Sequence, residues 1–544
     1  MIGAARVFDR LTVLYSRLVR PPVGYRLAGM IVGLVALLLI GCTPPDQGQA
    51  GVQHAVPPPR AIETAISPQG TQVAPLTPTP GLEAAPRFVS PSPSPMPSPS
   101  PVPSPSGQVA APPVEEALEV QLGRTPPSRD LRALHQRLVR QSPPSSATPR
   151  AADPQAGAPR LGERRSFWIA DHERNSYFEV SATLRGVSPD AYFFVEDGHE
   201  LSEMAIEEAV ATFSYRIASQ VRQYFGSEWS PGIDDDPHIV VLHAAIPGPP
   251  GYFSSNDEYS RSVVPYSNEH EMIYVNLRGL SLGSASYLAT LVHEFQHMIH
   301  WNNDLSEDAW VNEGLSELAT RLAGFGVSSL ASFVSAPDTQ LTTWDENPVQ
   351  ALPHYGASYA FFSYLAEHYG GYGALKELVS VKKHGAAGVE EFLRARGYGV
   401  SFDGVFQDWV VANLVDDTAL DGGRYGYKDL DIRLVPKQLS GLLLRESGSV
   451  RQYVADYLEL PPEGDLDVSF VGKSWVKLIP NEPHSGRGQW WSNRGDVMDT
   501  TLTREFDLTG LTCATLKAWL WFDVEKHFDY AYVEASSDGG QTWT

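Results

Sequence analysis

The stretch LVHEFQHMIHW, Leu291–Trp301, holds three histidines and one glutamate within eleven residues, and it restricts the fold more than any other part of the chain. His293 and His297 stand four residues apart. On an α-helix that is about 400° of rotation, so both imidazoles leave one face and can share a metal. Glu294 sits beside them, placed to act on a water at such a metal. Ser284 or Ser286 can cap the helix, and Leu288, Leu291, Val292, Phe295 and Ile299 form its apolar stripe. This spacing sets the histidines beside the core face rather than in it.

A second helix follows. AWVNEGLSELATRL, Ala309–Leu322, carries Trp310, Val311, Leu315, Leu318 and Leu322 on one side, and Glu313, Glu317 and Arg321 at four-residue steps on another. Fifteen residues separate His297 from Glu313, enough to turn and run an antiparallel helix past the first. A carboxylate from it can complete a His-His-Glu zinc site with a fourth position left for water. The helical wheel allows Glu313 or Glu317 in that role and turns Asn312 off the metal-facing side.

HEFQHMIHW followed by WVNEGLSELA resembles the gluzincin metallopeptidases, and within them the hyicolysin-type group. The resemblance implies an α+β zincin-like domain: a mixed sheet, the HExxH helix and then a helical lobe. It implies Zn2+ held by His293, His297 and Glu313, Glu294 as general base, Glu317 as the partner of a ligand, and peptide-bond hydrolysis in protein or peptide substrates. LPHYGASYAFFSYLAEHYG, Leu352–Gly370, resembles the gluzincin helix that offers a Tyr or His to the tetrahedral intermediate. Tyr355 is the first candidate and His354 the second, while Tyr359, Phe361, Phe362 and Tyr364 read as packing residues. His300, one turn past His297, reads as a surface residue or a neighbour of the ligands.

The rest of the chain sets this domain in context. Residues 164–445 form the candidate peptidase domain. RSFWIADHERNSYFEVSATLRGVSPDAYFFVED reads as strands, Glu200–Gly226 as helix, and HIVVLHAAI and EMIYVNL as further strands. SNEHEMIYVNL, Ser267–Leu277, is either an edge strand able to pair with substrate or an interior one. The run Asp234-Asp235-Asp236 offers oxygen ligands for Ca2+, against the plainer reading of a solvated loop. Residues 446–544 read as an all-β sandwich. Their QYVADYLELPP, WWSNRGDVMDTTLTREFDLTG and ATLKAWLWFDVEKHFDYAYVEASSDGGQTW resemble the β-domain of immune inhibitor A-like secreted metallopeptidases. The zinc helix continues as MIHW, unlike the Gly-Leu-Pro-Asp-type segment of immune inhibitor A itself. SSDGGQTW, Ser536–Trp543, matches an Asp-box hairpin and reads as a turn, and the chain ends where a further strand is expected.

The N-terminal part reads as leader and tether. Five arginines precede the apolar run Leu27–Gly41, about 15 residues and short of the roughly 20 a membrane span needs. LIGC, ending at Cys42, resembles a bacterial lipobox, which implies removal of residues 1–41 and a lipid on Cys42 that holds the chain to a membrane. Residues 42–113 are rich in Pro, Ser, Thr and Ala and cannot bury a core, so they read as a disordered stalk. Residues 114–163 contain a short helix, with Leu131, Leu134 and Leu138 on one face, that serves either a prosegment or the main domain.

The net charge of −23 excludes nucleic acid as a partner. The two cysteines, Cys42 and Cys513, exclude a disulfide framework, and Cys513 reads as a buried apolar residue. The function expected is a secreted, membrane-anchored zinc endopeptidase. The alternative is an inactive cell-surface binding protein that works through its β-domain.

Overall fold

The computed structural model describes residues 129, 131–138, 158–345, 347–440, 447–460 and most of 469–543, together with the backbone of 8–17. The apolar run, Cys42 and the Pro/Ser-rich stretch lie outside the described residues.

A six-stranded mixed sheet carries the metal-site region. Its strands are β2 (Arg164–Asp171), β3 (Ser176–Val187), β4 (Ala191–Glu196), β5 (Ile239–Ala244), β6 (Gly251–Phe253) and β7 (Met272–Asn276). Their order is β2-β3-β4-β5-β7-β6. β4, β5 and β7 run parallel, while β2, β3 and β6 pair antiparallel to their neighbours. The three parallel strands are almost wholly apolar because both their faces are covered. Phe193, Val195, Val241, Ile273 and Val275 face the helices. Tyr192, Phe194, Val240, Leu242 and Tyr274 face a second core with Phe167, Ile169 and Leu184. The sheet curls, so that its two outer strands meet: the Ala170 N–H of β2 donates to the Tyr252 hydroxyl of β6 at 3.2 Å.

SNEHEMIYVNL therefore supplies an interior strand, β7, and the margin beside it is the three-residue β6. Five consecutive buried residues in β7 reflect cover on both faces, which a substrate-pairing edge would lack.

The helical lobe follows the sheet. The helix expected over Glu200–Gly226 comprises α2 (Glu203–Thr212), a π-helical stretch (Phe213–Ala218) and α3 (Ser219–Phe225). Then come α4 (Ala285–Asn303), α5 (Ala309–Leu322), α6 (Ser329–Ser335), α7 (Pro348–His368), α8 (Leu375–Val379), α9 (Gly385–Ala395) and α10 (Phe402–Val415). Ser284 caps α4 by accepting the Tyr287 N–H. Gly314 lets α5 and α7 approach closely, since a Cβ there would lie 2.8 Å from that of Ser358. Gly251 does the same for β6 on α4, with a Cβ 2.4 Å from Thr290 Cγ2. The Leu131, Leu134 face belongs to α1 (Leu131–Leu138), and the Arg129 N–H just before it donates to Ser306 Oγ at 2.8 Å, in the turn between α4 and α5.

Beyond residue 460 the described residues contain one sheet, formed by β8 (Asp499–Asp507) and β9 (Asp529–Ser536), with β1 (Phe8–Arg17) between them and antiparallel to both. The second layer of a sandwich is not among the described residues, and residues 8–17, read above as leader, form the middle strand here. Cys513 is exposed, not buried. The SSDGGQTW turn is organised by Asp538, whose Oδ1 accepts the Gln541 and Thr542 N–H groups at 2.9 Å each.

One buried carboxyl, just before β7, gives a stability test. Glu271, 2 % exposed, accepts the Ile233 N–H at 2.9 Å. Burial, reinforced by Asp234 and Glu228, raises its pKa from 4.5 to about 8. Between those values the native chain holds a proton that the unfolded chain has lost, so this group lowers stability as pH rises through the window. Glu271→Gln removes that penalty. Thermal unfolding should show the variant gaining on the parent from pH 5 to pH 8, and an unchanged difference across that range would refute the assignment.

Candidate metal centre

α4 and α5 lie antiparallel, and their contact pairs run in opposite senses: His297 meets Glu313 while His293 meets Glu317. Glu313 Oε2 is 3.2 Å from both His293 Nε2 and His297 Nε2. The two imidazole rings are 4.7 Å apart and nearly perpendicular, at 76°. Ligand atoms of His293, His297 and Glu313 lie within 4.8 Å of one another, and all three residues are buried.

The surroundings fix how each of these side chains points. His297 Nδ1 is 2.8 Å from Asn312 Oδ1 and 3.1 Å from Ser316 Oγ, so Nδ1 carries the proton for Asn312 and Nε2 is left bare toward Glu313. His293 Nδ1 faces Glu317 Oε1 at 3.5 Å, and Glu317 Oε2 accepts the Ser329 hydroxyl at 2.7 Å. Glu313 therefore joins the group, and Glu317 stands behind His293. Sequence reasoning missed Asn312 and Ser316, because a single helical wheel does not show which flank the neighbouring helix covers. The adjacency of Asn312 to Glu313 was the available signal.

The charges also suit a cation. Burial works to raise Glu313, but the nearby His297 and His293 imidazoles outweigh it and hold the carboxyl below its usual range. Burial disfavours charge on His293, yet the nearby carboxylates of Glu313 and Glu317 dominate and favour its imidazolium. A metal ion would take the place of that proton. His297 Nε2 is buried without a hydrogen-bond partner, which in an apolar core is a cost unless a ligand meets it. Two imidazole nitrogens and one carboxylate form the donor set of a zinc site that keeps an open position.

Glu294 is buried beside the ligands, and its pKa is raised by that burial against the pull of His293 and His297. Its Oε2 accepts the Phe253 N–H of β6 at 3.0 Å. Tyr355 on α7 is buried with its ring 6.3 Å from that of His293 and 4.6 Å from that of Trp344. Burial, with Glu313, Glu317 and Glu294 nearby, lifts its phenol well above 10, so it remains a donor. His354 turns away and meets the Gln340 carbonyl through Nδ1 at 3.0 Å. Tyr359, Phe361, Phe362 and Tyr364 are core residues.

Two expectations are corrected. The histidines lie in the core, because α4 is covered all round from Ala289 to His300. His300 is 1 % exposed, and its pKa falls to about 4 through burial, so it is not a surface residue; it stands beside Asn312, the partner of His297, as a neighbour of the metal group and not a member of it. The acidic run is engaged elsewhere: Asp234 Oδ2 pairs with His270 Nδ1 at 2.6 Å, and Asp236 Oδ2 accepts the Tyr192 hydroxyl at 3.0 Å. His293, His297 and Glu313 are the one such cluster among the described residues.

Residues 467–544 match the family described as Immune inhibitor A-like, MAM domain. The C-terminal part of the chain thus carries an immune inhibitor A-like domain, and the match ends short of the metal centre. No curated protein matches the chain. Among the described residues no helix is long and apolar enough to cross a membrane.

One zinc ion per chain should bind, and His293→Ala, His297→Ala or Glu313→Ala should abolish binding at ordinary concentrations. Glu317→Ala and Asn312→Ala should each weaken it by about 10–100-fold. Chelator competition measures both. Full affinity in Glu313→Ala, or its loss only in Glu317→Ala, would overturn the ligand set.

Proposed function

We propose that the chain is a zinc-dependent endopeptidase, secreted and tethered to a membrane through a lipid on Cys42. The observation that carries this reading is the buried His293, His297, Glu313 group with the carboxylate of Glu294 beside it. The immune inhibitor A-like domain at residues 467–544 supports an extracellular setting.

A zinc ion in this group would supply Lewis acidity and lower the pKa of water. Glu294 does the proton work. With Oε2 held by the Phe253 N–H, its other oxygen takes the proton of the attacking water and returns it to the leaving amine. Its raised pKa favours that return. Tyr355, kept as a neutral phenol, donates a hydrogen bond to the oxyanion that develops on the scissile carbonyl. Asn312 and Glu317 hold the two imidazoles in register, which keeps the reacting atoms aligned.

Glu294→Gln should retain zinc and lose peptide hydrolysis by roughly 10²–10⁴-fold. Tyr355→Phe should lower kcat by roughly 10²–10³-fold with little change in KM, as expected of a contact made in the transition state. A mixed peptide library with product detection by mass spectrometry serves for both. A zinc-loaded parent protein without hydrolytic activity would favour the binding-protein alternative, and an active Glu294→Gln variant would move the base elsewhere.

A further inference from the structure

Where β2 meets β6, on the face of the sheet away from the metal centre, the seam holds a recess of about 400 Å³, its open mouth included. Its walls are aromatic: Trp168, His172, Tyr177, Tyr252, Tyr266 and Tyr274. Tyr177 and Tyr266 stack at 4.5 Å, and Tyr252 and Tyr274 stack at 4.2 Å. Trp168 meets Tyr266 edge-on at 5.1 Å, and His172 meets Tyr252 edge-on at 4.9 Å. One carboxylate, Asp257, lines the same space at 3 % exposure.

Asp257 is held rigidly. Its Oδ1 accepts the Asn268 N–H at 2.6 Å and its Oδ2 accepts the Tyr274 hydroxyl at 2.7 Å. Both partners are neutral, the His270 imidazole that acts on Asp257 from nearby is itself paired with Asp234, and among the described residues no Lys or Arg lines the recess. Burial lifts its pKa to about 6, so it is an anion in neutral solution. A carboxylate accepts at up to about four lone-pair sites, so these two bonds and one from the Asn268 side chain still leave acceptor capacity free. His172 adds another acceptor. Burial lowers its pKa to about 4, and its Nε2 is buried with no hydrogen-bond partner.

A buried anion, a neutral imidazole nitrogen and π-faces all favour the same occupant, a cation that donates hydrogen bonds. We propose that this recess binds the primary ammonium of a lysine side chain, with Asp257 as its counter-ion, His172 Nε2 as a second acceptor and the Tyr177–Tyr266 stack at its mouth. The enclosed part is narrow, which favours a compact ammonium over a planar guanidinium. A neutral aliphatic side chain would leave Asp257 buried beside it without a cation, which is costly. The site stands apart from the peptidase reading, since occupancy requires neither metal nor hydrolysis. It is nevertheless close to that chemistry in the chain: Tyr252 lines the recess, and the next N–H, that of Phe253, bonds Glu294.

The test is a binding titration on the full-length chain with Nα-acetyl-lysine methylamide, its norleucine counterpart and its arginine counterpart, followed by the change in aromatic fluorescence and by calorimetry. The lysine probe should saturate, and the other two should bind at least 10-fold more weakly. Asp257→Asn should weaken the lysine probe by at least 10-fold while metal content and circular dichroism stay those of the parent. If Asp257→Asn does not fold, Tyr266→Leu at the half-buried mouth decides, with several-fold weaker binding expected. Equal binding of the lysine and norleucine probes would overturn the proposal. So would full lysine affinity in a folded Asp257→Asn or Tyr266→Leu variant.

Discussion

Glu313 lies between two imidazoles in the space where α4 crosses α5, and most of the domain is arranged around that contact. Glu294, Glu313 and Glu317 are all buried there beside His293 and His297, with Gln296, Asn312 and Ser316 buried among them. Buried carboxylates must be compensated, so the sliding of one helix against the other is restricted to the register in which each anion meets an imidazole or a hydroxyl. Packing carries that register outward. Gly314 admits α7, which brings Tyr355 to the histidines, and Gly251 admits β6, which brings a backbone N–H to Glu294. The sheet, the two ligand helices and α7 are thus positioned by one polar cluster and two glycines.

Much of this was legible because the signals are local. The four-residue step from His293 to His297, the apolar stripe of Ala309–Leu322 and the apolar runs of β4, β5 and β7 each follow from the period of one element. The link between the ligand helices was legible as a distance: fifteen residues suffice for a turn and a return. What the sequence left open, Glu313 against Glu317, depends on how far α5 slides along α4. No property of α5 alone contains that information.

The misses have the same origin. Asn312 and Ser316 act across the helix contact, so a wheel drawn for α5 shows them only as polar positions. The immersion of the histidines and of His300 arises because α4 is covered by the sheet on one side and by helices on others, whereas an amphipathic stripe assumes one covered side. β6 has three residues, too few to show a period, so the sequence leaves Ser267–Leu277 open between edge and interior strand. Cys513 was judged by what cysteines usually do, and composition does not place a single residue.

The curl of the sheet has a consequence for how the molecule behaves among its own copies. An unpaired strand margin offers a row of amide and carbonyl groups on which another chain can build. Here both margins are engaged by side chains. On β2, Trp168 N–H goes to Asn268 Oδ1 at 2.8 Å, Trp168 C=O accepts from Asn268 Nδ2 at 2.9 Å, and Ala170 N–H goes to Tyr252. On β6 the Phe253 N–H is taken by Glu294. A neighbouring molecule therefore meets few open backbone groups in this sheet. Growth of fibrils by strand addition would first have to break these side-chain seals, so the same contacts that shape the domain also guard its strand margins.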